Sequence, residues 1–379
     1  MRLVATRDLQ AGARLGRDVP GRTPIELPLL RAGTVVTDAY RDALLREGVT
    51  AVYVDDALSA GIEVREPVSE ATRREATGAV ARVLAEPQAL ASGAGLHDEL
   101  VGDLEKVASR IVLEVAEWGE AAVALADLAG ADGYTFQHSV DVTIVGLAVA
   151  HRLFREHGWV DYRGERSYAA IDERLTKLGI GLLLHDVGKL TLPSELLSRP
   201  GPLTDEEFEF VKTHAAAGVE LLGERVPPTV KAVVRWHHER WDGSGYPDRR
   251  VGRGIHQFAR IAAVADVFDA VTSERSYAAA ATPAVGVELI REGAATSFDP
   301  EVVEAFTRVI APYPAGTEVQ LSDGRRALVV SVPPHRADRP VVRVFTDAAG
   351  RPVEPFELEL ARVPRLEIRG PLARRADAA

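Results

Sequence analysis

At 379 residues, with 46% hydrophobic and 27% charged side chains, the chain has the make-up of a soluble globular protein long enough for two or three domains. A formal charge of -11 argues against a nucleic-acid polymer bound through a basic surface, although bound divalent cations can reverse the local field within one site. The absence of cysteine excludes disulfides, iron–sulfur clusters and thiolate zinc fingers, and no apolar run reaches signal-peptide or membrane-spanning length, so no membrane association and a cytoplasmic location are expected.

Residues 1–68 read as a small α/β regulatory module. Pro24 to Leu30 is apolar and extended, and Gly33 to Val36 leads toward a turn. Thr37 is placed to cap a helix through Tyr40, Leu44 and Leu45 that stops at Gly48, and Ala51 to Val54 reads as a buried strand. From 69 to 313 the pattern becomes helical, with Leu104, Val107, Ile111, Val112 and Val115 forming one apolar stripe. Arg199 to Thr204 is a loop, Thr204 with Glu207 makes a capping box, and Leu203 can staple against Phe208, which puts His214 well inside the following helix. Asp299-Pro300 marks another helix start. Residues 314–379 return to strand character: Val319 to Leu321 and Ala327 to Val332 flank the turn Asp323-Gly324, Val341 to Phe345 and Phe356 to Leu360 follow, and Leu372 to Ala379 should fray. The expected architecture is multidomain and mainly α, a helical core between a small N-terminal α/β module and a small C-terminal β module.

Five of the ten histidines and two aspartates form an ordered series: His138, His185-Asp186, His214, His237-His238 and Asp266. Imidazole and carboxylate suit borderline divalent ions such as iron, manganese or zinc, and two such ions can activate a water for attack on phosphorus. A single histidine is more often a core or surface residue; the joint order carries the inference. Apolar runs lead into His185-Asp186, into the doublet and into Asp266, and buried imidazoles and carboxylates need a partner, so a shared ion is expected. Asp186 can give one oxygen to each of two ions. Lys189, on the same helical face as His185 and Asp186, can hold a phosphate oxygen, with Gly188 removing bulk beside the ions.

The runs His185-Asp186-Val187-Gly188-Lys189 and His237-His238-Glu239-Arg240-Trp241-Asp242-Gly243-Ser244-Gly245-Tyr246-Pro247, with Ala265-Asp266-Val267-Phe268-Asp269-Ala270, Arg275-Ser276-Tyr277 and Phe298-Asp299-Pro300, resemble the HD-GYP domain over about residues 100–312. The region 1–68 resembles the small modules that precede such domains. The resemblance implies an all-helical HD-type metal phosphohydrolase core that hydrolyses cyclic di-GMP to pGpG and often GMP. It implies metal ligation by His138, His185, Asp186, His214, His237, His238 and Asp266, commonly of iron or manganese. It also implies a phosphate contact from Lys189, a substrate loop of Asp242, Gly243, Gly245, Tyr246 and Pro247, and phosphate binding by Arg275. Protein partners such as diguanylate cyclases, docking through the Gly-Tyr-Pro loop, and a homodimer are compatible with it.

Two departures qualify the match. Some members carry a third-metal glutamate where this chain has Tyr134, so a binuclear centre is expected. A basic residue frequent after Tyr277 is here Ala278, so substrate should bind more weakly. The competing readings are another HD-type nucleotide phosphohydrolase and a catalytically inactive cyclic dinucleotide-binding scaffold.

Overall fold

The computed structural model describes residues 1–21, 27–85, 95–118, 134–161, 163–199, 201–273, 281–333 and 336–371. Arg275, Ala278, the side chain of Tyr134, the expected extended residues 24–26 and the C-terminal 372–379 lie outside them.

At the N-terminus, strands β1 (Arg2–Ala5), β2 (Arg14–Leu15) and β3 (Ala51–Asp55) form an antiparallel sheet in the order β1-β3-β2. Helix α1 (Asp38–Arg46) begins where the Thr37 side chain accepts a hydrogen bond from the Tyr40 amide at 3.2 Å, and its buried Leu44 packs with Val52 and Val54 of the central strand. Helix and strand lie where the sequence pattern puts them.

The helical body follows. It comprises α2 (Glu70–Leu84), α3 (Asp98–Trp118), α4 (Tyr134–His157), α5 (Ile171–Leu184), α6 (Ser194–Ser198), α7 (Asp205–Lys212), α8 (His214–Leu222), α9 (Pro228–Trp236), α10 (Gln257–Thr272), α11 (Pro283–Glu292) and α12 (Pro300–Val309), with a two-stranded ribbon of β4 (Trp159–Val160) and β5 (Arg166–Ser167) after α4. The stripe Leu104, Val107, Ile111, Val112 and Val115 is buried as expected. Helix α5 lies centrally, packed by α3, α4 and α9, and α10 packs against α4. The C-terminal half of α5 and most of α10 are buried on almost every side, which is why residues 178–184 and 261–265 are apolar with little periodicity. One continuous hydrophobic core runs from Val68 to Ile310. Among the described residues, no helix is long and apolar enough to cross a membrane.

The C-terminal strands β6 (Glu318–Leu321), β7 (Arg326–Ser331), β8 (Val341–Thr346), β9 (Pro352–Glu359) and β10 (Ile368–Pro371) make an antiparallel sheet in the order β10-β6-β7-β8-β9. Alternation along β8 sends Val342, Val344 and Thr346 inward. Strand β10 has too short an apolar run to be read from the sequence; it closes the sheet by pairing with β6.

The N-terminal and C-terminal modules meet. The Leu3 amide donates to the Gly316 carbonyl at 2.9 Å, and one Arg343 nitrogen donates to the carbonyls of Leu58 and Ala60, both at 2.8 Å.

Candidate metal centre

Three of the histidines in the series stand where a helix stops. His185 follows the last residue of α5, His237 follows α9, and His214 opens α8 directly after α7. In each case the ring Nδ1–H donates to a carbonyl three residues back: Leu182 at 2.7 Å, Val234 at 3.0 Å and Val211 at 2.7 Å. An unbroken helix would use those carbonyls for the amide four residues on. The ring therefore both ends the helix and fixes its own tautomer, leaving Nε2 as a lone pair. This corrects two sequence expectations. His214 is not deep within one helix but at a break after Thr213, and Lys189 reaches Asp186 from a 3-10 turn, Val187–Thr191, rather than from a continuing α-helix. Gly188 also differs from its expected role. A Cβ there would fall on the backbone of His214 and Gly218, so this glycine allows close packing of the turn on α8.

The rings converge on Asp186. Its Oδ1 lies 3.5 Å from His214 Nε2 and 3.8 Å from His237 Nε2. Its Oδ2 lies 3.3 Å from His185 Nε2, 3.8 Å from His138 Nε2 and 2.6 Å from Lys189 Nζ. The ligand-type atoms thus form two groups sharing Asp186: one with His214, His237 and His238, the other with His138 and His185. Two features call for cations between them. His214 Nε2 and His237 Nε2 face one another at 3.4 Å, two lone pairs with no proton between them once each Nδ1 donates to its carbonyl. Among the described residues, the buried His185 Nε2 and Asp186 Oδ1 have no hydrogen-bond partner. A nitrogen- and oxygen-lined site with orphaned acceptors fits divalent metal.

Asp266 comes from the buried helix α10, its oxygens 3.3 Å from His138 Nε2 and 3.8 Å from His238 Nδ1. One turn later on the same helix, Asp269 accepts from His138 Nδ1 at 2.6 Å, and Ser273 Oγ donates to its other oxygen at 3.0 Å. Sequence reasoning misses Asp269; its signal is a second carboxylate three residues after Asp266 in the otherwise apolar run 261–271 of a buried helix. Burial disfavours charge on all these groups, and the neighbours decide the outcome. Lys189 and His185 outweigh burial and hold the Asp186 carboxyl well below its ordinary range. Burial, with His238 beside it, pushes His237 far down, and burial takes His238 down to about 3, so both are neutral donors. His138 goes the other way: against burial, Asp266 and Asp269 raise it to about 10.

The loop after the doublet is anchored from below. Buried Glu239, which sequence reasoning also misses, accepts from the Asp248 amide at 2.8 Å and the Arg250 amide at 3.0 Å. A Cβ on Gly245 would collide with the backbone of His238, Glu239 and Arg240, so only glycine lets the loop fold back here. That return sets the Tyr246 ring 4.7 Å from His238, tilted by 30°, with Pro247 next to it. Asp242 and Gly243 sit at the outer turn, where the exposed Asp242 carboxylate accepts from the Ser244 amide at 2.9 Å. The structure therefore brings Tyr246 to the centre and leaves Asp242 as a turn former.

Within this helical scaffold, with its buried His-Asp cluster, residues 155–302 match the family model described as HD domain. The chain is 34% identical to a cyclic di-GMP phosphodiesterase of Pseudomonas aeruginosa over 64% of this chain and 55% of that one. It is 38% identical to a cyclic di-GMP phosphodiesterase of Thermotoga maritima over 42% of this chain and 44% of that one. It is also 40% identical to 3'3'-cGAMP-specific phosphodiesterase 2 of Vibrio cholerae over 32% and 24% of the two chains. The chain spans about half, or less, of the length of these relatives. Among solved structures, the HDG"Y"P protein Bd1817 of Bdellovibrio bacteriovorus aligns with a TM-score of 0.47 at 14% identity, covering 80% of this chain and 97% of that one.

Proposed function

We propose that the protein is a metal-dependent phosphodiesterase that hydrolyses cyclic di-GMP to pGpG, GMP or both. One observation supports this above the rest: the Asp186 carboxylate has its two oxygens turned toward two separate sets of imidazole nitrogens. His214, His237 and His238 with Asp186 would hold one cation, and His138, His185 and Asp266 with Asp186 a second. When bound, two such ions supply Lewis-acid charge beside the phosphorus and lower the pKa of an attacking water. Iron or manganese suits the mixed imidazole and carboxylate donors.

The chain's own groups complete the site. Lys189, with its side chain 34% exposed beside Asp186, offers an ammonium to a phosphate oxygen. Asp269 keeps the His138 ring turned toward the cluster. Tyr246 offers an aromatic face for guanine next to His238. Arg275 is assigned to phosphate binding by the family resemblance. In this reading the protein acts in the cytoplasm, and diguanylate cyclases and a second copy of the chain are its candidate protein partners.

Anaerobic assay with iron or manganese, metal quantification and product chromatography tests the proposal. Two ions per chain and release of pGpG or GMP are expected. Three tightly held ions would overturn the binuclear assignment, and tight ligand binding without hydrolysis would mark a scaffold. The 40% identity to a 3'3'-cGAMP-specific enzyme makes that dinucleotide the comparison substrate, and faster turnover of it would reassign the specificity.

A further inference from the structure

Beside the metal centre an aromatic shelf continues outward from Tyr246 onto helix α7. Phe208 stands edge-on to Tyr246, with ring centroids 6.4 Å apart and an interplanar angle of 83°. The ammonium of Lys212, one turn along the same helix, lies 4.7 Å from the Phe208 centroid and 5.5 Å from that of Tyr246. Lys212 is itself steadied by Glu209 at 2.5 Å. Phe208 nevertheless stays 46% exposed. The sequence pattern pairs this phenylalanine with Leu203 as a staple at the start of α7; among the described residues its ring also meets Tyr246 and the Lys212 ammonium.

An aromatic ring left partly exposed beside a phosphate-hydrolysing site has a natural occupant. Every nucleobase carries a flat π surface, and stacking on an exposed aromatic ring binds bases without reading their edges. A cyclic dinucleotide has two bases, and Tyr246 can serve only the one nearest the cations. We infer that Phe208 is the platform for the second base, held in its pose by Lys212, whose charge also suits the anionic dinucleotide. This assignment rests on the phosphodiesterase reading given above and adds a residue that positions substrate without touching the reacting atoms.

The test compares Phe208→Ala and Phe208→Trp with the unaltered protein, using cyclic di-GMP, the small diester bis(p-nitrophenyl) phosphate and a phosphorothioate analogue of cyclic di-GMP that is bound but not cleaved. For Phe208→Ala we expect KM for cyclic di-GMP and Kd for the analogue to rise about tenfold, with kcat and turnover of the small diester unchanged. Phe208→Trp should restore both constants. A staple role would lower Tm and leave KM alone, so unchanged KM and Kd in Phe208→Ala overturn the platform. If the unaltered protein binds the analogue but does not cleave cyclic di-GMP, the hydrolytic reading fails, and the platform is still decided by the shift in Kd.

Discussion

The helical body and the joined terminal modules differ in whether they enclose charged side chains. The body has one continuous core spanning Val68 to Ile310, and inside it sit His138, His185, Asp186, His214, His237, Asp266 and Asp269, all buried. Among the described residues, the N-terminal and C-terminal sheets have separate cores of eight buried residues each and bury no charged side chain. A large core can enclose ionisable groups because its packing offsets their desolvation and its helix ends supply carbonyls to fix them. A small core cannot, so the terminal modules gain mutual support from backbone carbonyls and two arginines, Arg343 and Arg2, the latter 3.8 Å from Glu318. Substitutions in the body should therefore change chemistry by orders of magnitude, and those at the seam between the terminal modules should change only stability.

The largest effect is expected at Asp186. Asp186→Ala removes the carboxylate common to both nitrogen sets, so turnover should fall by more than about a thousandfold with circular dichroism unchanged. Measurable activity near that of the unaltered protein would break the assignment of the shared ligand. Behind the ligands, Asp269→Asn keeps the size of the side chain but weakens the acceptor for His138 Nδ1. Metal affinity or activity should drop about 10- to 100-fold, read by metal titration, while Tm moves little. A loss confined to Tm would make Asp269 a support for the fold alone and narrow the contrast between the two regions.

These two residues also show how far the sequence can be read. Asp186 is legible because two ligand types stand adjacent after an apolar run, and the C-terminal hairpin is legible from Asp323-Gly324 between alternating strands. Asp269 lies within a recognisable motif, yet its role is not legible, since a hydrogen bond between helices α4 and α10 leaves no local trace. The breaks at His185, His214 and His237 are hidden for a related reason. Each depends on a histidine ring competing for its own helix's carbonyl, and helical periodicity runs straight through such a turn. The meeting of the two terminal modules is invisible because Leu3 and Gly316, or Leu58 and Arg343, carry no complementary pattern along the chain.

Glu239 tests the boundary between the two kinds of effect. It is buried in the body yet holds backbone, not metal ligands, through the Asp248 and Arg250 amides. Glu239→Gln retains one acceptor and leaves the other amide facing a donor. Destabilisation of about 1–3 kcal/mol by chemical denaturation is expected, along with a higher KM as the Tyr246 loop loosens. An unaltered KM with lowered stability would show that the loop keeps its position without this anchor.

The smallest effect belongs to the seam. Arg343, on strand β8, donates to the carbonyls of Leu58 and Ala60 and also pairs with Glu357 at 2.7 Å. Its side chain is largely covered, so Arg343→Ala removes packing as well as two hydrogen bonds, while both carbonyls remain in an exposed turn that water can reach. Net loss of about 1 kcal/mol is expected, seen as a Tm lowered by about 2–4 °C and faster amide exchange near the seam. Hydrolysis at saturating substrate should be unchanged, because no described contact of Arg343 reaches the helices that carry the histidines. A fall in kcat in this variant would mean that the terminal unit acts on the metal centre through the body, and the division between chemistry and support drawn from the two regions would no longer hold.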